Sequence, residues 1–258
     1  PSEPAEKNEC AVGPFESAYT APRCPPNVSI RSIFNIHNNY NYKIGNFTRN
    51  STLMPEISSQ LSNPNLDVHI KLWRIDETAE FFQIFPSSWS MPPIQKQIQA
   101  NKYLESVAAR YCLWELMKSL GLESLELQQD YRQRPYLNHP LWHISISHSY
   151  PFAVACISKK PMTGIDIEKK DRNVKKIAPR FLNPTELANW QADSLKLTLA
   201  WSAKESIYKA WKKPGLSFQQ EIALNFIDEQ FYGQVNSAEP FPIAFEQFDE
   251  FVITLVNH

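Results

Sequence analysis

The sequence predicts an α+β fold in which a strand, a long helix and further strands follow one another twice. Two long segments, Ile94–Leu120 and Leu195–Trp211, repeat apolar residues every three or four positions, which is the period of an amphipathic helix. Shorter segments that alternate in polarity, or are apolar throughout, flank each helix as strands. We therefore expect two α/β halves, residues 66–160 and 161–258, each a small antiparallel sheet packed with a long helix.

The residues that precede the first half have a different composition. They are rich in proline and asparagine and show no hydrophobic period, so we expect residues 1–65 to form a flexible extension. In the first half, Asp67–Ile75 alternates as a strand, and Gly121 is placed to cap the end of the long helix. His143–Ser149 and Phe152–Ile157 follow as two further strands.

The second half begins with a predicted strand, Thr163–Glu168, and continues with a helix start at Asn183. Asn183 and Glu186 have the spacing of a capping box, in which each side chain accepts a hydrogen bond from the other residue's backbone amide. The second long helix, Leu195–Trp211, ends before a Lys-Pro-Gly sequence. Three antiparallel strands are predicted to complete the chain: Ile222–Ile227, Ile243–Phe248 and Phe251–Val256.

The second long helix has two different sides. Trp201, Glu205 and Lys209 follow one another at intervals of four residues and so project from one side. Small and apolar residues form a core stripe on the other side. Considered alone, Glu205 and Lys209 are an ordinary surface ion pair one turn apart, which stabilises a helix by about 0.3 kcal/mol.

A pair of carboxylates upstream favours a different interpretation. Residues two apart in a strand face the same way, so Asp166 and Glu168 project together while Ile165 and Ile167 project to the other face. Neighbouring carboxylates repel each other and are well suited to share Mg²⁺, which prefers oxygen ligands and often retains substrate phosphates. The alternative is an exposed strand face that carries two acidic residues.

Composition narrows the functional classes. The net charge of −1 provides no general attraction to nucleic acid. Six glycines and the absence of GxGxxG and Walker A sequences argue against a glycine-rich nucleotide loop. The four cysteines form no CxxC pair, so a zinc site is not predicted. No apolar run is long enough to span a membrane and the N-terminal residues lack the order of a signal peptide, so we expect a cytoplasmic protein.

Four segments, in order along the chain, resemble the signature of the 4'-phosphopantetheinyl transferases of the Sfp-like type. GIDIE at 164–168 resembles the family's GxDxE motif, and WSAKESIYK at 201–209 resembles its WxxKExxxK motif. RPYL at 134–137 is similar to a short basic-Pro motif, and ISISHS at 144–149 is similar to the (N)xSHS motif. The resemblance extends from about Leu66 to the C-terminus.

The resemblance implies a pseudo-dimer of two similar halves, with the active site in the cleft between them. The residues it implies for binding coenzyme A are Lys102, Arg110, Arg134, Ser147, His148, Lys204 and Lys209. The residues it implies for binding Mg²⁺ are Asp166, Glu168 and Glu205. The residues it implies for catalysis are Asp166, Glu205 and Lys209.

The activity that the resemblance implies is transfer of the 4'-phosphopantetheine moiety of coenzyme A to a serine of an acyl or peptidyl carrier protein, with release of 3',5'-ADP. Carrier proteins of this kind are acidic, so the basic run from Lys169 to Arg180 is the expected docking surface. The family type implies a monomer.

Two other functions are compatible with the same residues. One is a different Mg²⁺-dependent phosphoryl-transfer or hydrolytic enzyme that acts on a nucleotide through Asp166, Glu168 and Glu205. The other is a non-catalytic relative that binds coenzyme A or a carrier protein. The products formed from coenzyme A distinguish these alternatives.

Overall fold

A computed structural model of the chain describes residues 68–83, 86, 89, 100–227 and 230–258. The extension predicted for residues 1–65 and the predicted start of the first long helix lie outside the described residues. All described residues belong to one compact unit, which covers Thr52–His258. None of the described helices is both long and apolar enough to cross a membrane.

The elements of the first half follow the predicted order, with a 3-10 turn and a short hairpin in addition. A 3-10 turn at Phe81–Gln83 and one long helix, α1 (Ala100–Ser119), accompany the strands. The strands are β1 (Val68–Arg74), β2 (Leu127–Gln129), β3 (Pro135–Leu137), β4 (His143–Ser149) and β5 (Phe152–Ser158). The short hairpin of β2 and β3 was not predicted, because three-residue strands are too short to show alternation.

The second half also contains one strand that was not predicted. Its strands are β6 (Thr163–Lys169), β7 (Ile222–Ile227), β8 (Gln230–Val235), β9 (Phe241–Phe248) and β10 (Phe251–Asn257). Its helices are α2 (Ala178–Phe181), α3 (Pro184–Trp190) and α4 (Ser194–Trp211). The additional strand, β8, contains Gly233, which weakens strand propensity in the sequence but lets Ile207 and Phe241 pack against the backbone.

The strands form antiparallel sheets, as predicted. One sheet has three strands in the order β1-β5-β4, a second has five in the order β6-β10-β9-β8-β7, and β2 pairs with β3. Apolar residues of α1 form a core with β4 and β5, while those of α4 form another with strands of the larger sheet. A third core joins apolar residues of β1, β5, β6 and β10. The α+β prediction is confirmed, and the pseudo-dimer relation of the halves stays a prediction.

The helix ends agree with the local sequence signals. At the end of α1, Gly121 adopts a positive φ of 68°, and the Leu122 amide donates to the Met117 carbonyl at 2.9 Å. At the start of α3, Asn183 and Glu186 form the predicted capping box. Asp193 caps α4, whose end at Lys212 has a left-handed backbone. These caps fix where α4 begins and ends over the sheet.

Candidate active site

The acidic face of β6 and the polar side of α4 meet at a cavity of about 390 Å³. Residues of α1 and β4 and of the segment after β6 complete its lining. The acidic residues that line it are Asp166, Glu168 and Glu205. The basic residues that line it are Arg110, His148, Arg172 and Lys209. The predicted strand face and helix face are therefore brought together in one place.

A close approach of β6 to α4 at Gly164 produces this arrangement. A Cβ atom at Gly164 would lie 2.1 Å from the Ser206 carbonyl oxygen and 2.8 Å from the Ala210 amide nitrogen. Only glycine allows the strand backbone and the helix backbone to pack at this distance. Ser206 also donates from its Oγ to the Thr254 carbonyl at 2.9 Å, which ties α4 to β10. Glu205 and Lys209 are thereby held beside Asp166.

Asp166 has one satisfied oxygen and one that is not. Its Oδ1 accepts from Lys209 Nζ at 2.7 Å and from Ser147 Oγ at 2.8 Å. Lys209 Nζ also donates to Ser147 Oγ at 2.9 Å, which closes a triangle of hydrogen bonds. Asp166 Oδ2 is buried and has no hydrogen-bond partner among the described residues. A buried carboxylate oxygen of this kind is available to a ligand.

Glu168 is buried beside Asp166 and is held by two donors. Its Oε1 accepts from Trp201 Nε1 at 2.8 Å and from the Arg172 guanidinium. The same guanidinium lies over the Trp201 ring, with its central carbon 5.2 Å from the ring centroid. Burial raises the pKa of the Glu168 carboxyl, and the hydrogen bond from Arg172 opposes this rise.

Glu205 is the least supported of the three carboxylates. In the part of the chain that the structure describes, its carboxylate has no hydrogen-bond or ion-pair partner. Burial, followed by the nearby charge of Asp166, raises the pKa of Glu205 to about 7, although Lys209 opposes this rise. The carboxyl group is therefore poised to take up or release a proton near neutral pH.

Arg110 and His148 line the same cavity from α1 and β4. Arg110 Nη1 donates to the backbone oxygen of Ser106 at 3.0 Å and to its hydroxyl at 2.8 Å, while Arg110 Nε is buried with no hydrogen-bond partner among the described residues. His148 Nδ1 lies 2.9 Å from Glu105 Oε2. Lys102 is exposed two turns before Arg110 and does not line the cavity.

Arg134 lies outside the cavity lining and faces a residue of α4. Its guanidinium is stacked 4.8 Å from the centroid of the Tyr208 ring. Both of its terminal nitrogens are buried and have no hydrogen-bond partner among the described residues. Buried donors without a partner are energetically costly, so these nitrogens are suited to donate hydrogen bonds to an anionic ligand.

The geometry does not support the prediction that Lys204 contacts a ligand. Its side chain is fully buried, and its Nζ donates to Glu186 Oε2 at 2.6 Å. The same ammonium lies 2.8 Å from each of three carbonyl oxygens: those of Phe181, Phe218 and Ile222. An ammonium has only three hydrogens, so none is left for a phosphate. Lys204 therefore holds α4 to the surrounding backbone, even though it directly precedes Glu205 in sequence.

The three predicted Mg²⁺ ligands fit the ion in chemistry. In the described ranges, no set of three or more acidic, histidine or cysteine side chains is arranged to hold a metal ion as it stands. The donor set nevertheless consists of carboxylate oxygens, which hard divalent cations prefer. It includes the unpartnered Asp166 Oδ2 and the two carboxyls whose pKa values are raised, Glu168 and Glu205. A divalent cation would relieve all three of these electrostatic costs.

Four residues of the cavity lining are not among the site residues predicted from the sequence: Ser106, Ile146, Arg172 and Trp201. Two of these, Trp201 and Arg172, contact Glu168. Trp201 packs against Phe181 and Phe218, and its Nε1 also orients Glu168. Arg172 was assigned to the basic docking surface, yet its guanidinium faces the carboxylates. The available signal was its position four residues after Glu168, where a turn can bring the two side chains together.

The part of the chain that contains the three acidic residues of the cavity is similar to proteins of a known family. Residues 162–256 match the 4'-phosphopantetheinyl transferase superfamily. A Bacillus subtilis protein named 4'-phosphopantetheinyl transferase is 38% identical over 109 residues, which are 39% of this chain and 47% of that protein. Enterobactin synthase component D of Salmonella typhi is 34% identical over 135 residues, and that of Escherichia coli strain K12 is 33% identical over 139 residues.

The matches to these two enterobactin synthase components each cover 47% of this chain. They cover 55% of the Salmonella protein and 64% of the Escherichia protein, so the chain spans a little over half the length of these relatives. The matched family region contains Asp166, Glu168, Arg172, Glu205 and Lys209, and hence every acidic residue of the cavity lining. Residues 162–256 of this chain are therefore a domain of the 4'-phosphopantetheinyl transferase superfamily.

Proposed function

We propose that this protein transfers the 4'-phosphopantetheine moiety of coenzyme A to a serine of an acyl or peptidyl carrier protein, with Mg²⁺ bound and with release of 3',5'-ADP. The observation that carries the proposal is the single cavity in which Asp166, Glu168 and Glu205 face Lys209 and Arg110. The family match of residues 162–256 supports the reaction class. The sequence-based expectation of a monomeric, cytoplasmic enzyme is part of the same proposal.

The acidic residues would hold the cation and the basic residues would hold the anionic substrate. Mg²⁺ on Asp166, Glu168 and Glu205 would neutralise the pyrophosphate of coenzyme A and make its phosphorus more electrophilic. Arg110 and His148 line the same cavity and are suited to hold phosphate groups. The two terminal nitrogens of Arg134, which have no hydrogen-bond partner among the described residues, would donate to a further phosphate at the nucleotide end.

In the proposed reaction, the carrier serine oxygen forms a bond to the β-phosphorus as the bond from that phosphorus to the bridging oxygen breaks. The leaving group is 3',5'-ADP, and the serine proton must be accepted by a base. Glu205, whose carboxylate lines the cavity, is the proposed base. Lys209 Nζ, which is anchored on Asp166 at 2.7 Å, would stabilise negative charge on the transferring group.

The proposed docking surface for the carrier protein follows the segment after β6. Lys175, Lys176 and Arg180 are exposed there and can face an acidic partner. Lys169 and Lys170, in contrast, are engaged with the Asp171 carboxylate and the Asp249 carbonyl. Charge reversal at Lys175 and Lys176 should raise the KM for carrier protein and leave that for coenzyme A unchanged.

The test is mass spectrometry of an apo acyl carrier protein incubated with this protein, coenzyme A and Mg²⁺. We expect the carrier to gain one phosphopantetheine unit, and we expect no gain when its serine is replaced by alanine or when Asp166→Asn is used. The Lys118→Gln variant, which changes an exposed charge at the end of α1, outside both the cavity and the docking surface, serves as a control for nonspecific loss of activity.

Failure of this test has two informative forms. Binding of coenzyme A without modification of several carrier types would support a non-catalytic relative. Cleavage of coenzyme A without modification of the carrier would support a different phosphoryl-transfer or hydrolytic enzyme. Either result would overturn the proposed transfer.

A further inference from the structure

The segment that follows β6 supplies a cation to the cavity that none of the recognised motifs contains. Arg172 lies four residues after Glu168 and donates its Nη1 to Glu168 Oε1. Its guanidinium is stacked on the Trp201 ring at 5.2 Å, and its side chain is 46% exposed. The side chain is therefore held on one side by an aromatic face and is open to solvent on the other.

The three carboxylates of the cavity differ in the cations that neutralise them. Asp166 is paired with Lys209, which the packing of α4 holds in place through further bonds to Ser147 and to the Ile165 carbonyl. Glu168 is paired with Arg172, which belongs to a turn and is half exposed. Within the described residues, Glu205 has no partner. Of the two cations, Arg172 is the more exposed and is bound to fewer groups of the protein core.

Arg172 and a bound divalent cation would compete for the negative charge of the Glu168 carboxylate. Oε1 already accepts from Trp201 Nε1 and Arg172, which occupies the lone pairs that one carboxylate oxygen can offer. A divalent cation carries a greater charge than a guanidinium and, when bound to the same carboxylate, would weaken the attraction of that carboxylate for Arg172. The displaced guanidinium could remain on the Trp201 ring, since stacking on an aromatic face does not require the carboxylate.

We propose that Arg172 is an exchangeable counter-ion, which pairs with Glu168 while the carboxylates hold no divalent cation and turns to the phosphate oxygens of the substrate once a cation occupies them. The identity of that substrate, a pyrophosphate-bearing nucleotide, rests on the proposed function. The competition with the cation rests on the contacts of Arg172 alone. Arg172 would thus couple binding of the cation to binding of the anion.

The first measurement is the affinity of the full chain for Mn²⁺ in Mg²⁺-free buffer, with electron paramagnetic resonance used to detect the bound ion. Removal of the competing guanidinium in Arg172→Gln should tighten Mn²⁺ binding about fivefold, which is the effect of a partly exposed ion pair. Lys175→Gln removes the same charge from the same segment, away from the carboxylates, and should change Mn²⁺ binding less than twofold. Unchanged or weaker binding in Arg172→Gln, or equal tightening in Lys175→Gln, would overturn the exchange.

The second measurement is binding of inorganic pyrophosphate at saturating Mn²⁺. The substitution should now weaken binding instead of tightening it. We expect Arg172→Gln to bind pyrophosphate about fivefold more weakly than the unmodified chain, and Lys175→Gln to bind it with unchanged affinity. Equal pyrophosphate affinity in Arg172→Gln and the unmodified chain would overturn the second half of the proposal. Neither measurement requires transfer to a carrier protein, so failure of the proposed activity would appear separately, as inactivity of the unmodified chain.

Discussion

Two lysines of α4 form ion pairs with nearly equal contact distances. Only one pair is closed, meaning that its charged atoms are buried and are all hydrogen-bonded within the protein. Lys204 Nζ lies 2.6 Å from Glu186 Oε2, and Lys209 Nζ lies 2.7 Å from Asp166 Oδ1. The Lys204 side chain is fully buried, whereas that of Lys209 is 27% exposed. The pairs therefore differ in their surroundings rather than in their contact distance.

The acidic partners differ most. Both oxygens of Glu186 are used, because Oε1 accepts from the Leu224 amide at 2.7 Å and Oε2 accepts from the Asn183 amide at 2.9 Å. Asp166 keeps a buried Oδ2 without a partner among the described residues. A closed network of charges stabilises a fold, while an open one retains the capacity to bind. The comparison explains why adjacent motif residues, Lys204 and Glu205, have separate roles.

Removing the lysine of the closed pair should have the largest effect. Lys204→Met leaves the Glu186 carboxylate buried and unpaired, which should lower the free energy of unfolding by about 3–5 kcal/mol. The matched variant Lys209→Met should cost about 1–2 kcal/mol, since its site is partly open and Asp166 keeps the Ser147 hydroxyl. Urea denaturation with a chelator present measures both. Equal losses would contradict the distinction between the pairs.

The next effect depends on pH and concerns the unpartnered Glu205. Its pKa in the folded chain is about 7, against an ordinary value of 4.5. The folded state therefore holds a proton that the unfolded state has released, so stability falls as pH rises from about 4.5 to 7. Glu205→Gln lacks this cost and should be more stable by up to about 3 kcal/mol above pH 7, with no gain below pH 4.5.

Unfolding in the presence of a chelator between pH 4 and 9 measures this difference in stability. Added Mg²⁺ should stabilise the unmodified chain more than the variant. A gain that is independent of pH would show that the substitution acts through packing. Absence of any gain would show that Glu205 is not strained by its surroundings.

A smaller loss of stability is expected from a substitution at Gly164, where the backbones of β6 and α4 are in contact. In Gly164→Ala the new Cβ would meet backbone atoms of Ser206 and Ala210, so the helix must move, at a cost of about 1–3 kcal/mol and with a fall in activity. Gly233→Ala also adds a methyl group beneath α4, but that group meets only the ends of the Ile207, Phe241 and Ile243 side chains. It should cost less and leave kcat unchanged. Similar losses of activity would mean that Gly164 does not position the site.

The smallest effect concerns the donor that orients Glu168. Trp201→Phe retains an aromatic ring between Phe181 and Phe218 but removes the Nε1 hydrogen bond to the carboxylate. Trp211→Phe truncates a ring that is packed against the same core. Trp201→Phe should lower the free energy of unfolding by about 1 kcal/mol more than Trp211→Phe does. The difference in urea midpoint at equal slope reports this cost. A Trp201 variant no less stable than the Trp211 variant would indicate that Arg172 alone holds Glu168.

Much of the local structure can be predicted from the sequence because its causes are local. The capping box at Asn183 and the positive φ of Gly121 depend only on neighbouring residues, and both are found as predicted. Period-2 alternation places Ile165 and Ile167 in the core and Asp166 and Glu168 on the cavity face. In the same way, i, i+4 spacing places Trp201, Glu205 and Lys209 together.

What the tertiary structure decides is which of these charged groups have partners from distant parts of the chain. Lys204 is saturated by carbonyls of Phe181, Phe218 and Ile222, which no period within α4 reveals. Arg172 reaches the cavity because a turn carries it back onto Glu168 and Trp201. The faces and the ends of the elements can be inferred from neighbouring residues, since they depend on backbone geometry over a few positions. Only the folded chain decided which charges are satisfied, because hydrogen-bond partners and desolvation depend on packing across the whole molecule.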